Sequence, residues 1–171
     1  MNKNKILSSL VCGFGAAVLT IIPGYNEAKG SITCCLFVPI AAIFSMVLYQ
    51  KTNPEELPFK TGKAVFLGFM TGIFVALFAT LFETIITLIT HTNDFINALP
   101  ETEAVMKEMN MGPMYSEALT ILKSVANDIR LHGFSLFYTT GMLIGNIIIN
   151  SVFGILGGLL GLIYINRKPK Q

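Results

Sequence analysis

Charged residues are scarce in this chain. Only 13% of its 171 residues are Asp, Glu, Lys or Arg, and 53% are hydrophobic. An average soluble protein has about a quarter of its residues charged. The chain has too few charged residues to cover an ordinary water-exposed surface. The composition therefore excludes a typical soluble domain and indicates a protein of the lipid bilayer.

The residues and motifs of catalysis are also few. The chain has two histidines and three cysteines, and it contains no GxSxG turn, HExxH helix, phosphate-binding loop or dinucleotide-binding fingerprint. Nothing in it resembles a catalytic triad. The net charge of +2 comes mostly from residues that flank apolar stretches, a distribution that does not suggest nucleic-acid binding. We therefore predict that the protein is not an enzyme and binds no cofactor and no nucleic acid.

Long apolar stretches dominate what is present. They cover residues 6–24, 32–50, 64–90 and 134–165. Each reaches or approaches the roughly 20 helical residues that cross a hydrocarbon core of about 30 Å. The first stretch resembles a signal peptide, but no small-x-small cleavage site follows it, so we expect it to remain as a transmembrane helix. We predict an all-α membrane protein, a single integral membrane domain over residues 1–171 with four transmembrane helices.

The positions of lysine and arginine predict the orientation of these helices, because positively charged flanks resist translocation. Eight lie on one side (Lys3, Lys5, Lys51, Lys60, Lys63, Arg167, Lys168 and Lys170) and four on the other (Lys29, Lys107, Lys123 and Arg130). We predict a multi-pass protein of the bacterial inner (plasma) membrane with both termini cytoplasmic.

The segment between the third and fourth apolar stretches, residues 91–133, is then the sizeable part outside the cytoplasm. Pro100 can begin a helix there and Gly112-Pro113 can end it. A second helix is expected from Ser116 as N-cap to Gly133. One apolar stripe recurs on it at helical spacing: Leu119, Leu122, Ala126 and Ile129. We predict an extracytoplasmic helical hairpin.

Four of the eight methionines fall within nine residues of this segment: Met106, Met109, Met111 and Met114. Thioethers can bind copper(I), and His91 and His132 could add nitrogen ligands. Methionine also fills irregular apolar contacts, and Met111 points away from the face that Met106 and Met109 share. We interpret the four as a contact patch for lipid, the spans or a partner, and predict no metal site.

Small residues line one face of the third apolar stretch and recur along the fourth. The candidate helix-packing residues are Gly68, Gly72, Ala76, Gly141, Gly145, Gly154, Gly158 and Gly161. In lipid, such positions let helix backbones approach closely. The pattern predicts packed helices, but internal packing and association between chains require the same residues.

Three polar residues lie within the apolar stretches: Glu83, Asn146 and Asn150. Glu83 follows Lys63 by 20 residues and Asn146 precedes Asn166 by 20, so at 1.5 Å per residue both lie about 30 Å from the inner boundary. We predict a polar intramembrane cluster near the outer interface. It can be structural, or it can belong to a proton or cation path.

The segments of the chain follow one another in a set order: two short spans, the GFMTGIFVALFATLFETI span, an acidic outer segment and a closing GILGGLLGLIYINRK. In this order the chain resembles an uncharacterised family of small four-span bacterial membrane proteins, classed as a domain of unknown function. The resemblance covers most of the chain, especially residues 60–167. It implies the fold but no activity or site. In one departure, a proline expected soon after the third span appears only at Pro100.

These features predict an accessory or scaffold subunit that acts through helix–helix association. Its expected partners are the lipid bilayer and either a second copy of the chain or another membrane protein. The alternative is an oligomeric transporter or channel in which Glu83 and Asn146 belong to a polar path.

Overall fold

The computed structural model describes residues 3–20, 31–109 and 113–167. In these ranges the chain is helical and contains no β-strand, which confirms the all-α prediction. The elements are α1 (Lys3–Thr20), α2 (Ser31–Thr52), a short 3-10 helix (Pro54–Glu56), α3 (Thr61–Thr90), α4 (Asp94–Glu108), α5 (Pro113–His132) and α6 (Leu136–Arg167).

Two helices of the described part are long and apolar enough to cross a membrane. They are α3, with 30 residues, and α6, with 32, and they match the third and fourth predicted spans. The apolar parts of α1 and α2, Asn4–Thr20 and Leu36–Thr52, are shorter. The predicted end of the first span, at residues 21–24, lies outside the described residues.

The chain divides into two compact units. Unit 1 consists of Met1–Leu81 and Leu143–Gln171, and therefore contains α1, α2 and parts of α3 and α6. Unit 2 is Phe82–Met142 and contains α4, α5 and the remaining parts of α3 and α6.

Hydroxyl groups join three helices in the interior of unit 1. Ser9 of α1 lies with its Oγ 3.2 Å from the Oγ of Ser45 on α2, and it donates to the carbonyl oxygen of Leu67 on α3 at 3.3 Å. All three residues are buried. Such bonds between helices are a common stabilising contact where no water is available.

The loop between α2 and α3 is fixed by hydrogen bonds to side chains of the helices around it. Asn166 of α6 donates through Nδ2 to the carbonyl oxygen of Phe59 and accepts from the Phe59 backbone N–H, both at 3.1 Å. Glu56 accepts from Tyr49 Oη at 2.6 Å and from Lys63 Nζ at 2.5 Å. The hydrogen bond from Lys63, and then that from Tyr49, lower the pKa of the Glu56 carboxyl.

In unit 2, α4 begins earlier than the sequence predicts. Its N-cap is Asn93, whose Oδ1 accepts from the backbone N–H of Ile96 at 3.1 Å, so the helix starts at Asp94. Pro100 lies inside α4, and the prediction that it begins a helix is wrong. Asn93 captures a free N–H group at the helix start, and Asn is among the strongest N-cap residues.

The second helix of the hairpin also begins earlier, since α5 starts at Pro113 and Ser116 lies within it. Proline is well suited to the first helical position, where its missing N–H costs nothing. The predicted end is confirmed: Gly133 follows His132 with φ of 67°, and its N–H donates to the Ile129 carbonyl at 2.7 Å. The predicted stripe packs against α4 through Ala126 and Ile129, which lie in one apolar cluster with Ile96.

Candidate functional site

The backbones of α3 and α6 touch where their small residues face each other in unit 1. A methyl group added to Gly68 would overlap the Gly154 carbonyl, and one added to Gly72 would overlap the Asn150 carbonyl. A methyl on Gly158 would overlap the carbonyl of Ala64. These glycines, predicted to pack helices, therefore form an intramolecular crossing between α3 and α6.

A second glycine pair of α6 faces a different helix. A methyl group on Gly157 would overlap the backbone of Pro39 in α2, and one on Gly161 would lie 3.0 Å from the sulfur of Met46. Gly154 and Gly158 face α3 whereas Gly157 and Gly161 face α2, so α6 contacts two helices through two glycine pairs offset by three residues.

Gly141 and Gly145 differ from the other glycines of α6. Nothing within the described part of the chain lies within 4 Å of the position that a Cβ on either would take. Exposed apolar side chains continue the same helix face, with Phe137 72% exposed, Ile144 54% and Ile148 60%. This face of α6 has no partner among the described residues.

The carboxylate of Glu83, on α3, has a defined partner in unit 2. Tyr138 of α6 donates its hydroxyl to Glu83 Oε1 at 2.9 Å, and its ring packs on Phe95 of α4 with centroids 5.4 Å apart. A carboxylate in an apolar region requires such a donor, because an unpaired polar group there is costly. The sequence pattern did not identify Tyr138.

The two asparagines of the predicted polar cluster belong to unit 1. Asn146 Nδ2 donates to Thr80 Oγ1 of α3 at 2.9 Å, and Asn150 Nδ2 donates to the Asn146 carbonyl at 2.9 Å. The Asn150 Oδ1 and Ser151 Oγ atoms are buried without a hydrogen-bond partner among the described residues. That Glu83, Asn146 and Asn150 form one cluster stays a prediction.

A shallow groove in unit 2 lies beside the Glu83–Tyr138 pair. It is too shallow to hold a water molecule, and five of its eight lining residues carry a hydroxyl: Thr84, Thr87, Ser135, Tyr138 and Thr139, with Gly133, Phe134 and Met142 completing the lining. Sequence reasoning missed this groove. The hydroxyl residues at 84 and 87, and at 135, 138 and 139, recur at helical spacing and could have indicated it.

The methionine segment is only partly described. Met106 and Met109 lie at the end of α4, and Met109 is strongly exposed; Met111 and the side chain of Met114 lie outside the described residues. His91 Nδ1 lies 3.1 Å from the Arg130 carbonyl oxygen. Within the described ranges, no group of three or more His, Cys, Asp and Glu is placed to hold a metal ion. The contact patch stays a prediction.

Comparisons with known proteins give no match, whether to a protein-family model, to a curated protein or to a solved structure. The resemblance of residues 60–167 to the uncharacterised four-span family therefore stays a prediction.

Proposed function

We propose that this protein is an inner-membrane protein of four spans, with both termini cytoplasmic, that acts as an accessory or scaffold subunit through helix–helix association. The partner is a second copy of the chain or another membrane protein. The resemblance to small four-span bacterial proteins agrees with this topology.

In unit 1, apolar side chains are exposed and polar side chains are buried. This distribution supports a membrane location for α1 and α2 as well as for α3 and α6. Large apolar side chains are exposed along α1 and α2: Leu7, Val11, Phe14, Val18, Leu36, Ile40, Phe44 and Leu48. Hydroxyl and amide residues are buried instead: Ser8, Ser9, Ser45, Thr71, Thr80 and Asn150. Large exposed apolar surfaces on monomers mark contact with lipid or protein. With 18 and 22 residues, α1 and α2 measure about 27 and 33 Å, close to the thickness of the hydrocarbon core.

The unpartnered Gly141/Gly145 pair is the observation that supports association of α6 with a helix of a partner. The other GxxxG pairs of α6 are filled by α2 or α3, whereas this pair has open space before it. Small residues four apart let a second helix approach closely in lipid, where dispersion contacts rather than water exclusion hold helices together. We assign this face, continued by Phe137, Ile144 and Ile148, to the partner helix.

Native mass spectrometry of protein extracted in lipid nanodiscs tests this assignment. We expect a stoichiometric second mass, of the same chain or another protein, that is lost when Gly141 and Gly145 are both replaced by leucine. The matched control is Gly15→Leu, because Gly15 also has open space before it but lies on α1. An assembly that survives the double replacement, or that Gly15→Leu removes equally, would overturn the proposal.

The alternative function, an oligomeric transporter or channel, is favoured by one observation. Asn150 Oδ1 and Ser151 Oγ are buried polar atoms without hydrogen-bond partners among the described residues, and a bound water or cation would satisfy them. On this alternative, Glu83→Gln abolishes proton flux into dye-loaded liposomes while assembly survives. Flux retained by Glu83→Gln would exclude a proton path through Glu83.

A further inference from the structure

We propose that the end of unit 1 that carries Lys60 and Arg167 binds the headgroup of an anionic phospholipid, which has a phosphodiester and no ammonium group. The inference rests on the proposed membrane location of the helices of unit 1 but not on association through Gly141 and Gly145.

Contacts gather the positive charges of unit 1 at one end. Lys5 of α1 lies over the ring of Tyr49 on α2, 5.9 Å from its centroid, and Asn166 of α6 is hydrogen-bonded to the backbone of Phe59 in the loop before α3. Every lysine and arginine of unit 1 whose side chain is described belongs to the segments that meet here: Lys5, Lys51, Lys60, Lys63 and Arg167. The described acidic residues of unit 1 are Glu55 and Glu56, so five positive charges face two negative ones.

Lys60 and Arg167 differ from Lys63, which is bonded to Glu56. Both are exposed, and neither forms a hydrogen bond or an ion pair with a described residue. The bonds between Asn166 and Phe59 hold two backbone segments together, and Lys60 and Arg167 are the next residues in those segments. Their long side chains therefore extend from neighbouring points. A phosphate between them would gain two opposite charges, and a guanidinium can donate two parallel hydrogen bonds to its oxygens.

An apolar stripe of α6 leads to Arg167. Its members are exposed and recur every three or four residues on the face that carries Arg167: Val152, Leu156, Leu160 and Ile163. One leaflet of a hydrocarbon core of about 30 Å is about 15 Å thick, which about ten helical residues cover at 1.5 Å each. An acyl chain attached to a headgroup at Arg167 would therefore cover the stripe about as far as Leu156. A soluble phosphate compound would leave it uncovered, so we assign the site to a lipid.

The charges at this end select the headgroup. Glu56, a carboxylate that could hold an ammonium, already accepts hydrogen bonds from Tyr49 and Lys63. The cations left over would repel an ammonium and attract a phosphate that carries no balancing charge. Basic residues beside a membrane surface bind anionic lipids for this reason. Charge complementarity therefore favours phosphatidylglycerol over the zwitterionic phosphatidylethanolamine and phosphatidylcholine.

The test is native mass spectrometry of the full chain released from nanodiscs that contain equal amounts of phosphatidylglycerol, phosphatidylethanolamine and phosphatidylcholine. We expect phosphatidylglycerol to be retained preferentially. Lys60→Gln and Arg167→Gln should each lower its retention about fivefold, as expected for the loss of one cation at an anionic surface. Arg167→Lys, which keeps the charge, should retain more of it than Arg167→Gln.

The matched control is Lys51→Gln. Lys51 is another exposed cation of this end without a hydrogen bond or ion pair to a described residue. It lies on the face of α2 that carries the exposed Phe44 and Leu48, whereas α2 contacts α6 through Pro39 and Met46. Its replacement should change retention by less than about twofold.

Three results would overturn the inference. The first is equal retention of the three lipids by the unaltered chain. The second is an equal loss of phosphatidylglycerol in Lys51→Gln and Arg167→Gln, which would indicate general attraction to charge rather than a site. The third is displacement of the lipid by soluble glycerol phosphate, which would identify a soluble ligand. A chain that keeps its partner but shows no lipid preference contradicts this inference alone. A Gly141/Gly145 double-leucine variant that loses its partner but keeps phosphatidylglycerol supports it.

Discussion

Gly133 ends α5 in a conformation that residues with a Cβ rarely adopt. Its φ is 67°, and an added Cβ would lie 2.7 Å from the carbonyl oxygen of Leu88. We expect Gly133→Ala to lower the free energy of unfolding by about 1–2 kcal/mol, the cost of a left-handed conformation for an ordinary residue. Denaturant titration of the purified protein in detergent measures this change.

The matched control for Gly133 is Gly62→Ala near the start of α3. Nothing lies within 4 Å of a Cβ at Gly62, and the helical backbone there suits alanine. That variant should be neutral, or more stable by up to about 1 kcal/mol. Equal destabilisation by both replacements would contradict the role assigned to Gly133.

Glu56 makes the stability of unit 1 depend on pH. Its folded-state pKa is lowered from the ordinary value of 4.5, first by the hydrogen bond from Lys63 and then by that from Tyr49. A lowered folded-state pKa contributes stability above the unfolded-state value, and that contribution is lost as the pH falls through the folded-state value. The melting temperature of the unaltered chain should therefore exceed that of Glu56→Gln at pH 7.

Lowering the pH should shrink this difference between the unaltered chain and Glu56→Gln, and remove it once the pH lies below the lowered folded-state pKa of Glu56, since both side chains are then uncharged. The control is Glu55→Gln, which changes the adjacent exposed carboxylate by the same chemistry. A difference that persists unchanged in acid, or that Glu55→Gln reproduces, would show that the Tyr49–Glu56–Lys63 contact does not stabilise the fold through charge.

At the scale of the helices, the α3–α6 crossing leaves no room for a side chain. Gly72→Ala would place a methyl group against the carbonyl of Asn150, so the helices must move apart. We expect a loss of at least about 1–3 kcal/mol of unfolding free energy, as for overpacked cores. The same denaturant titration measures it, with Gly145→Ala as the control on α6 that meets open space. A loss no larger than that of Gly145→Ala would contradict the crossing.

The helices themselves were largely predictable, but their partners were not. The apolar runs identify α3 and α6, and the residues that end α5 are visible in the sequence. The start of α4 was missed because Asn93 and Pro100 are both acceptable helix-start residues, and the capping hydrogen bond decides between them only in three dimensions. The glycines of α6 were equally ambiguous. A small residue indicates that another helix packs closely against it, but it does not indicate which helix that is.

The polar contacts depend even more than the helix packing on pairs of residues that are far apart in the sequence. Glu83 and Tyr138 are 55 residues apart, and Asn166 and Phe59 are 107 apart. Spacing along one helix reveals which residues share a face, but it carries no information on the residue that a polar group meets on another helix. For that reason Glu83 could be selected from the sequence whereas its donor, Tyr138, could not.

For the whole molecule, the number of spans can be tested by labelling single cysteines. With Cys12, Cys34 and Cys35 replaced by serine, a membrane-impermeant maleimide added to intact spheroplasts should label Lys107→Cys. It should label Lys60→Cys only after permeabilisation. The replacement Asn26→Cys discriminates best, because position 26 is outside only if the α1 and α2 segments both cross. Labelling of Asn26→Cys only after permeabilisation would reduce the spans to two.

The two glycine pairs of α6 also bear on how the chain is assembled as it leaves the ribosome. Gly154 and Gly158 face α3, and Gly157 and Gly161 face α2, so neither helix acquires all its neighbours until α6 has been synthesised. Domains in general fold as units during synthesis. A nascent chain that stalls before α6 would leave the glycine face of α3 around Gly68 and Gly72 uncovered, and quality-control proteases or a chaperone could recognise this face as the mark of an unfinished protein.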